Sequence, residues 1–112
     1  MRRGDVYWHK FKEPDKTRPV LIITRDKAVS ELNAVTVIPT TTTIRDVPSQ
    51  ILLTEDDGVT EICVLNIDLV QTVSKNKLRG YITHLSDERI QEADERIQEV
   101  FEAIKFAFGF DK

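Results

Sequence analysis

The chain has 112 residues, enough for one folded domain and for a core that needs no covalent staple. A hydrophobic fraction of 40% and a charged fraction of 31% exclude a disordered chain, and no apolar run approaches the ~20 residues of a membrane span. One cysteine, Cys63, excludes an internal disulfide, and the two arginines at the N-terminus precede no apolar stretch of signal length, so a cytoplasmic protein is expected.

The net charge of -3 argues only weakly against a nucleic-acid partner, because the charge is uneven. Residues 1–50 carry nine Lys/Arg against six Asp/Glu, and residues 51–112 carry seven against thirteen. That distribution is compatible with an anion site in the first half and a solvated acidic helix face in the second.

In chain order, "GDVYWHKF" alternates loosely, is rich in aromatics and predicts a strand. "KEPDKTR" is a polar loop with a turn-forming Pro-Asp pair. "PVLIIT" is a continuous apolar run, as expected of a strand buried on both faces. "AVTVIPTTT" predicts a strand that ends, bulges or lies at an edge at Pro39, which has no N–H for a ladder. "SQILLT" predicts another strand, and "TEDDG" an acidic turn with Gly58 at positive φ. The run "TEICVLNIDLVQTV" predicts one long or bent strand, followed by a small helix or turn near "SKNKL".

From Ser86 the period changes. Ile90, Ala93, Ile97, Val100, Phe101, Ile104 and Phe108 recur at spacings of three and four, which predicts an amphipathic helix. Ser86 suits its N-cap, Asp87 and Glu88 suit its positive dipole end, Leu85 and Ile90 suit a hydrophobic staple, and Gly109 suits its stop. The whole is a single α+β domain over residues 1–112. Five to seven short, mostly antiparallel strands curl into a half-open barrel with a C-terminal helix packed on it.

Metal chemistry finds no support, since His9, His84 and Cys63 lack ligand spacing. Neither histidine lies in a nucleophile motif, Cys63 suits a small core position, and the four glycines form no phosphate loop. No cofactor is expected.

Three features remain. Arg18 stands where a polar loop meets a rigid strand, either as a surface charge or to meet an anion with its planar guanidinium. "PTTTTIR" places four threonines after Pro39; their hydroxyls suit a phosphate oxygen, and they equally suit β-propensity and a turn. Asp68, in "LNIDLVQT", needs a partner if buried, an arginine for choice, and needs none if it faces outward.

The order "MRRGDVYW", "RPVLIIT", "VTVIPTTT", "DLVQTVSKNKLRG" and "THLSDERIQEADERI" resembles the MazF/PemK/Kid family of toxin endoribonucleases, from Met1 to about Gly109. The resemblance implies an SH3-like half-open barrel, a homodimer, and a cognate antitoxin that silences the toxin. It implies metal-independent cleavage of single-stranded RNA at short sequences, leaving a 2',3'-cyclic phosphate and a free 5'-hydroxyl. It also implies roles: Arg18 and Thr41 as catalytic groups, and Asp68 as a candidate base. Trp8, Lys16, Thr17, Thr42, Thr43 and Gln71 are the expected substrate contacts. Tyr7 and Phe11 suit base stacking or sheet packing. The loop "KEPDK" is shorter than in many members, Leu69 replaces a commonly polar residue, and Asn66 replaces an arginine found in some.

Two other functions fit the same scaffold. One is a non-catalytic toxin like the CcdB proteins that poison DNA gyrase, acting through the apolar tail "FAFGFDK". The other is a small-barrel interaction module whose grooves bind a peptide, with Arg18 a surface charge and Asp68 its salt-bridge partner.

Overall fold

A computed structural model describes residues 1–12, 17–107 and 109, with residues 103–107 described by their backbone alone. Seven strands and two helices run in the order β1 (Asp5–Lys10), β2 (Thr17–Ile22), α1 (Asp26–Glu31), β3 (Ala34–Thr41), β4 (Gln50–Leu53), β5 (Cys63–Asn66), β6 (Gln71–Ser74), β7 (Leu78–His84) and α2 (Asp87–Ala107). The strands lie side by side as β4-β5-β3-β2-β1-β7, with β6 paired to β3, and every pairing is antiparallel. This is the expected half-open barrel with a C-terminal helix.

β2 and β3 are apolar on both faces because each face meets a different core. Leu21 and Ile38 join Val6, Leu53, Leu65, Leu85 and Ala93 in one cluster, on which Ile90, Ile97 and Val100 of α2 pack. Val20, Ile22, Val35 and Val37 point the other way, to Val29 of α1, Val73 and Leu78. Alternating residues of two central strands thus serve two cores, which explains why "PVLII" has no polar position.

Two elements differ from expectation, and one open alternative is decided. Pro39 lies inside β3, at a local edge rather than at the strand's end. On one edge it pairs with Val20 of β2. On the other it falls in the gap between β6, paired as far as Val37, and β5, paired from Thr40. A residue without an N–H is tolerated where no ladder partner stands.

The expected long strand over residues 60–73 is two strands, β5 and β6, broken by a 3-10 turn at Ile67–Leu69. Ile67 is buried and its N–H donates to Ser49 O, 2.9 Å away, while Val70 N–H closes the turn on Ile67 O at 3.0 Å. One buried side chain therefore anchors the corner at which the chain leaves β5 and returns along β3.

α1 has no counterpart in the sequence reading. It is under two turns long, too short to show a helical period, and is held by burial of Ala28 and Val29.

The remaining devices follow the sequence. Gly58 sits at φ 96° after a turn capped by Thr54 and Asp57, and a Cβ there would collide with the Thr83 side chain. Ser86 Oγ accepts from Arg89 N at 3.3 Å at the start of α2, and a short 3-10 turn occupies Lys75–Lys77. No helix among the described residues is long and apolar enough to cross a membrane.

Candidate active site

A cleft of about 480 Å³ opens where β1, β2 and β3 end together. Its lining includes Trp8, Thr17, Arg18, Thr40, Thr41, Thr42 and Glu61, with Pro19, Val59, Cys63 and Ile82 below. Five residues expected from sequence therefore meet in one place: Arg18, Thr41, Trp8, Thr17 and Thr42.

Strand register brings them together. β2 and β3 pair Val20 with Pro39 and Leu21 with Ile38. That pairing brings the start of β2 and the end of β3, with Arg18 and Thr41, to the same end of the sheet. Pro19, between them, has no N–H for the ladder. The hydroxyl of Thr40 compensates by donating to Pro19 O at 2.8 Å. This bond ties the two strand ends at the point where Arg18 and Thr41 leave them. Trp8 is opposite Pro19 on β1, which puts its indole over the same floor.

The threonine run is shaped by its own bonds. Thr41 Oγ1 accepts from Thr43 N at 3.2 Å. That contact uses the oxygen and leaves the hydroxyl proton of Thr41 to donate into the cleft. Thr43 does not line the cleft, and its carbonyl accepts from Gln50 Nε2 at 3.2 Å. Gln50 Oε1 in turn accepts from Arg45 N at 2.8 Å, which fixes the loop after β3. Arg18 and Thr41 are half-buried, so both groups are partly withdrawn from water yet open to a ligand.

Below them, Cys63 is buried, and burial pushes its thiol pKa up against a smaller opposing effect of the Thr40 hydroxyl. It is a neutral floor residue and a poor nucleophile at pH 7.

Besides Thr43, two expected residues stand outside the cleft. Asp68 is exposed on the 3-10 turn after β5, where Oδ2 accepts from Ser49 Oγ at 2.8 Å, and it does not line the cleft. Gln71 lies on β6 in a different cleft with His9, Lys10 and Lys77. Lys16 lies outside the described residues. Tyr7 and Phe11 pack on the core between β2, α1 and β6, and Tyr7 meets Tyr81 edge-on at 5.7 Å.

The carboxylate that does line the cleft, among the described residues, is Glu61. Sequence reasoning passed over it because it was taken as part of a continuous strand. The turn signals "DDG" and "TE" around it were the available clue. Among the described residues no three His, Cys, Asp or Glu side chains converge as a metal site would require.

The chain is thus a small half-open antiparallel barrel with a guanidinium and a hydroxyl donor lining one shallow cleft at the end of adjacent strands. A family model described as "PemK-like, MazF-like toxin of type II toxin-antitoxin system" matches residues 2–101, and the chain belongs to that family. It is 37% identical over 94 residues to "Probable endoribonuclease MazF2" of Mycobacterium tuberculosis, covering 83% of this chain and 90% of the relative. It is 34% identical over 90 residues to "Probable endoribonuclease MazF5" of the same organism, covering 80% and 82%. Among solved structures, the Mycobacterium tuberculosis toxin MazF-mt6 superposes with a TM-score of 0.79 at 30% identity, covering 88% of this chain and 96% of that one. The MazE-MazF complex of Deinococcus radiodurans matches at 17% identity with a TM-score of 0.74, a likeness of fold.

Proposed function

We propose that this chain is a cytoplasmic toxin that cuts single-stranded RNA without a metal ion, working as a homodimer and restrained by a cognate antitoxin. The observation that carries the chemistry is the cleft that Arg18 and Thr41 share. The names of the 37% and 34% identical relatives support RNA as the substrate.

In this reading a 2'-hydroxyl attacks the neighbouring phosphorus. The O2'–P bond forms, the P–O5' bond breaks, and the products are a 2',3'-cyclic phosphate and a 5'-hydroxyl end. Negative charge grows on the non-bridging oxygens in between. Arg18 meets that charge with paired N–H donors and Thr41 with its free hydroxyl proton. One preorganised donor of this kind is worth about 3 kcal/mol in the barrier. The 2'-proton needs an acceptor within reach. Glu61 is the carboxylate in the cleft and is assigned that role in place of Asp68, and the departing O5' takes a proton from water admitted by the open cleft. Trp8 offers a face for an unpaired base, with Thr17 and Thr42 at the rim. Because the nucleophile is the 2'-hydroxyl, DNA survives.

The test is incubation of pure protein with long single-stranded RNA in EDTA. Discrete fragments with 5'-hydroxyl ends are expected, and Arg18→Ala and Thr41→Ala each slow their appearance about 100-fold. Intact RNA at micromolar protein, or unchanged cutting by both variants, refutes the assignment.

A further inference from the structure

With Asp5 and His9, Thr40 is one of three buried polar residues among the described residues, at 3% exposure. It differs in this from the threonines that follow it: Thr41 is half-buried and Thr42 exposed. All three line the cleft, but a hydroxyl has one proton to give. Thr40 donates its proton to Pro19 O at 2.8 Å, so it has none for a ligand. Strand propensity alone would be met by valine, as at Val35 and Val37 of the same strand. The buried hydroxyl therefore serves the bond it makes.

The bond stands at a seam. On one edge of β3 the pairs with β2 run from Ile22–Val37 to Val20–Pro39 and stop there. On the other edge the pairs with β5 begin at Thr40–Leu65. The hydroxyl thus carries the tie to β2 one residue beyond the last backbone pair. Pro19 directly follows Arg18, and Thr40 directly precedes Thr41. Three constraints then meet at the backbone of Arg18. A residue before proline is confined to extended conformations. The Pro19 ring holds its φ at about −65°. The bond to Pro19 O sets the remaining torsion, since the direction of that carbonyl follows the ψ of Pro19. On its other side Arg18 pairs with His9 of β1.

We propose that Thr40 is a positioning residue for the cleavage reaction: its hydroxyl fixes the Pro19 carbonyl and so the direction in which Arg18 leaves β2 toward the scissile phosphate. This rests on the reading of the chain as an RNA-cutting enzyme in which Arg18 meets the transition state. Thr40 itself gives nothing to the substrate. A guanidinium that stabilises developing charge must be held close to its productive geometry, and a displacement of about 1 Å costs up to about 100-fold in rate. Removing the Thr40 hydroxyl loosens the seat of Arg18 and leaves its charge in the cleft. Attraction for the RNA backbone in the ground state is therefore kept, while the transition state loses its fitted partner.

Two variants of the full chain separate the hydroxyl from the shape. Thr40→Val keeps the branched side chain and removes the hydroxyl, and Thr40→Ser keeps the hydroxyl. In single-turnover cleavage of long single-stranded RNA, Thr40→Val should be about tenfold slower, and Thr40→Ser should recover most of that loss. Fluorescence anisotropy with a labelled 2'-fluoro strand, which has no nucleophile and is not cut, should give one Kd for all three chains. The loss should also run through Arg18. The Arg18→Ala, Thr40→Val double variant should cut no more slowly than Arg18→Ala, because groups that act as a unit are not additive. A weakened Kd in step with the rate, a further drop in the double variant, or full-rate cutting by Thr40→Val each overturns the proposal. The backbone amide of Arg18 gives a readout that needs no cleavage. Its 15N order parameter should stay near the rigid value of about 0.85 in the wild-type chain and Thr40→Ser and fall in Thr40→Val. Equal values in all three overturn the proposal. A wild-type chain that shows this pattern but does not cut RNA would strike the catalytic reading and leave the anchoring of Arg18 standing, so the two failures are distinct.

Discussion

Glu61 and Asp68 pose the sharpest question at the scale of single residues. Both are exposed carboxylates, but Glu61 lines the cleft of Arg18 and Thr41 and Asp68 is bonded to Ser49 on a turn outside it. A base that takes the 2'-proton contributes about 10²–10⁴-fold. Glu61→Gln is therefore expected to lower kcat by that factor, whereas Asp68→Asn keeps kcat near that of the unaltered chain. The reverse pattern would return the role to Asp68. His9 gives a separate, thermodynamic signature. Burial, then Lys77 and Arg79, hold its folded pKa below the ordinary 6.5 of the unfolded chain. Just below that pH the unfolded state binds a proton that the folded state resists, so stability is complete above 6.5 and is lost as pH falls through the folded pKa. Melting temperatures measured downward from neutral pH should drop, and His9→Val should flatten the fall; parallel curves would remove His9 from the account.

Among the elements, the turn after β4 and the start of α2 are joined by one carboxylate. Asp57 Oδ2 accepts from Thr54 N at 2.9 Å, closing a reciprocal cap, and Oδ1 accepts from Arg89 Nε at 2.9 Å. The Asp57 side chain is 9% exposed, so its partners have little water to turn to. Asp57→Ala is expected to cost about 2 kcal/mol by removing the cap and a charged bond together. Arg89→Ala should cost less, about 1 kcal/mol or under, because the guanidinium is partly solvated and the cap survives. Urea midpoints measure both, and equal losses would refute the double role of Asp57. The same turn precedes Glu61, so the cap also fixes the approach of the chain to the cleft. A second element, the 3-10 turn at Ile67–Leu69, decides that Asp68 leaves the sheet surface altogether.

For the whole molecule, β2 and β3 form the frame. They separate two cores and carry Arg18 and Thr41 at their shared end. The site is thus placed on strands pinned from both faces, which suits a group that must be preorganised for charge in a transition state. The half-open barrel also leaves strand edges unpaired, and such edges invite pairing with a second copy. A homodimer is the expected state. Light scattering at high protein concentration should give twice the chain mass of 12.9 kDa, and a monomer there would count against it.

The sequence by itself determined the strands with strong apolar runs, the Gly58 turn and α2, because each rests on a local period or a local backbone need. It also brought out Arg18, where a polar loop meets a strand, and the threonine run after Pro39, in which the family resemblance singles out Thr41; both line one cleft at the shared end of β2 and β3. Only the tertiary structure decided the rest. Pro39 could remain in β3 because the partner strand changes beside it, and α1 formed because a core was there to receive Ala28 and Val29. Asp68 and Glu61 exchanged places with respect to the cleft for the same reason: a buried Ile67 bends the chain between strands, and no local pattern reports what a side chain will be buried against. Periodicity is a property of neighbours in sequence, whereas a site is a property of neighbours in space.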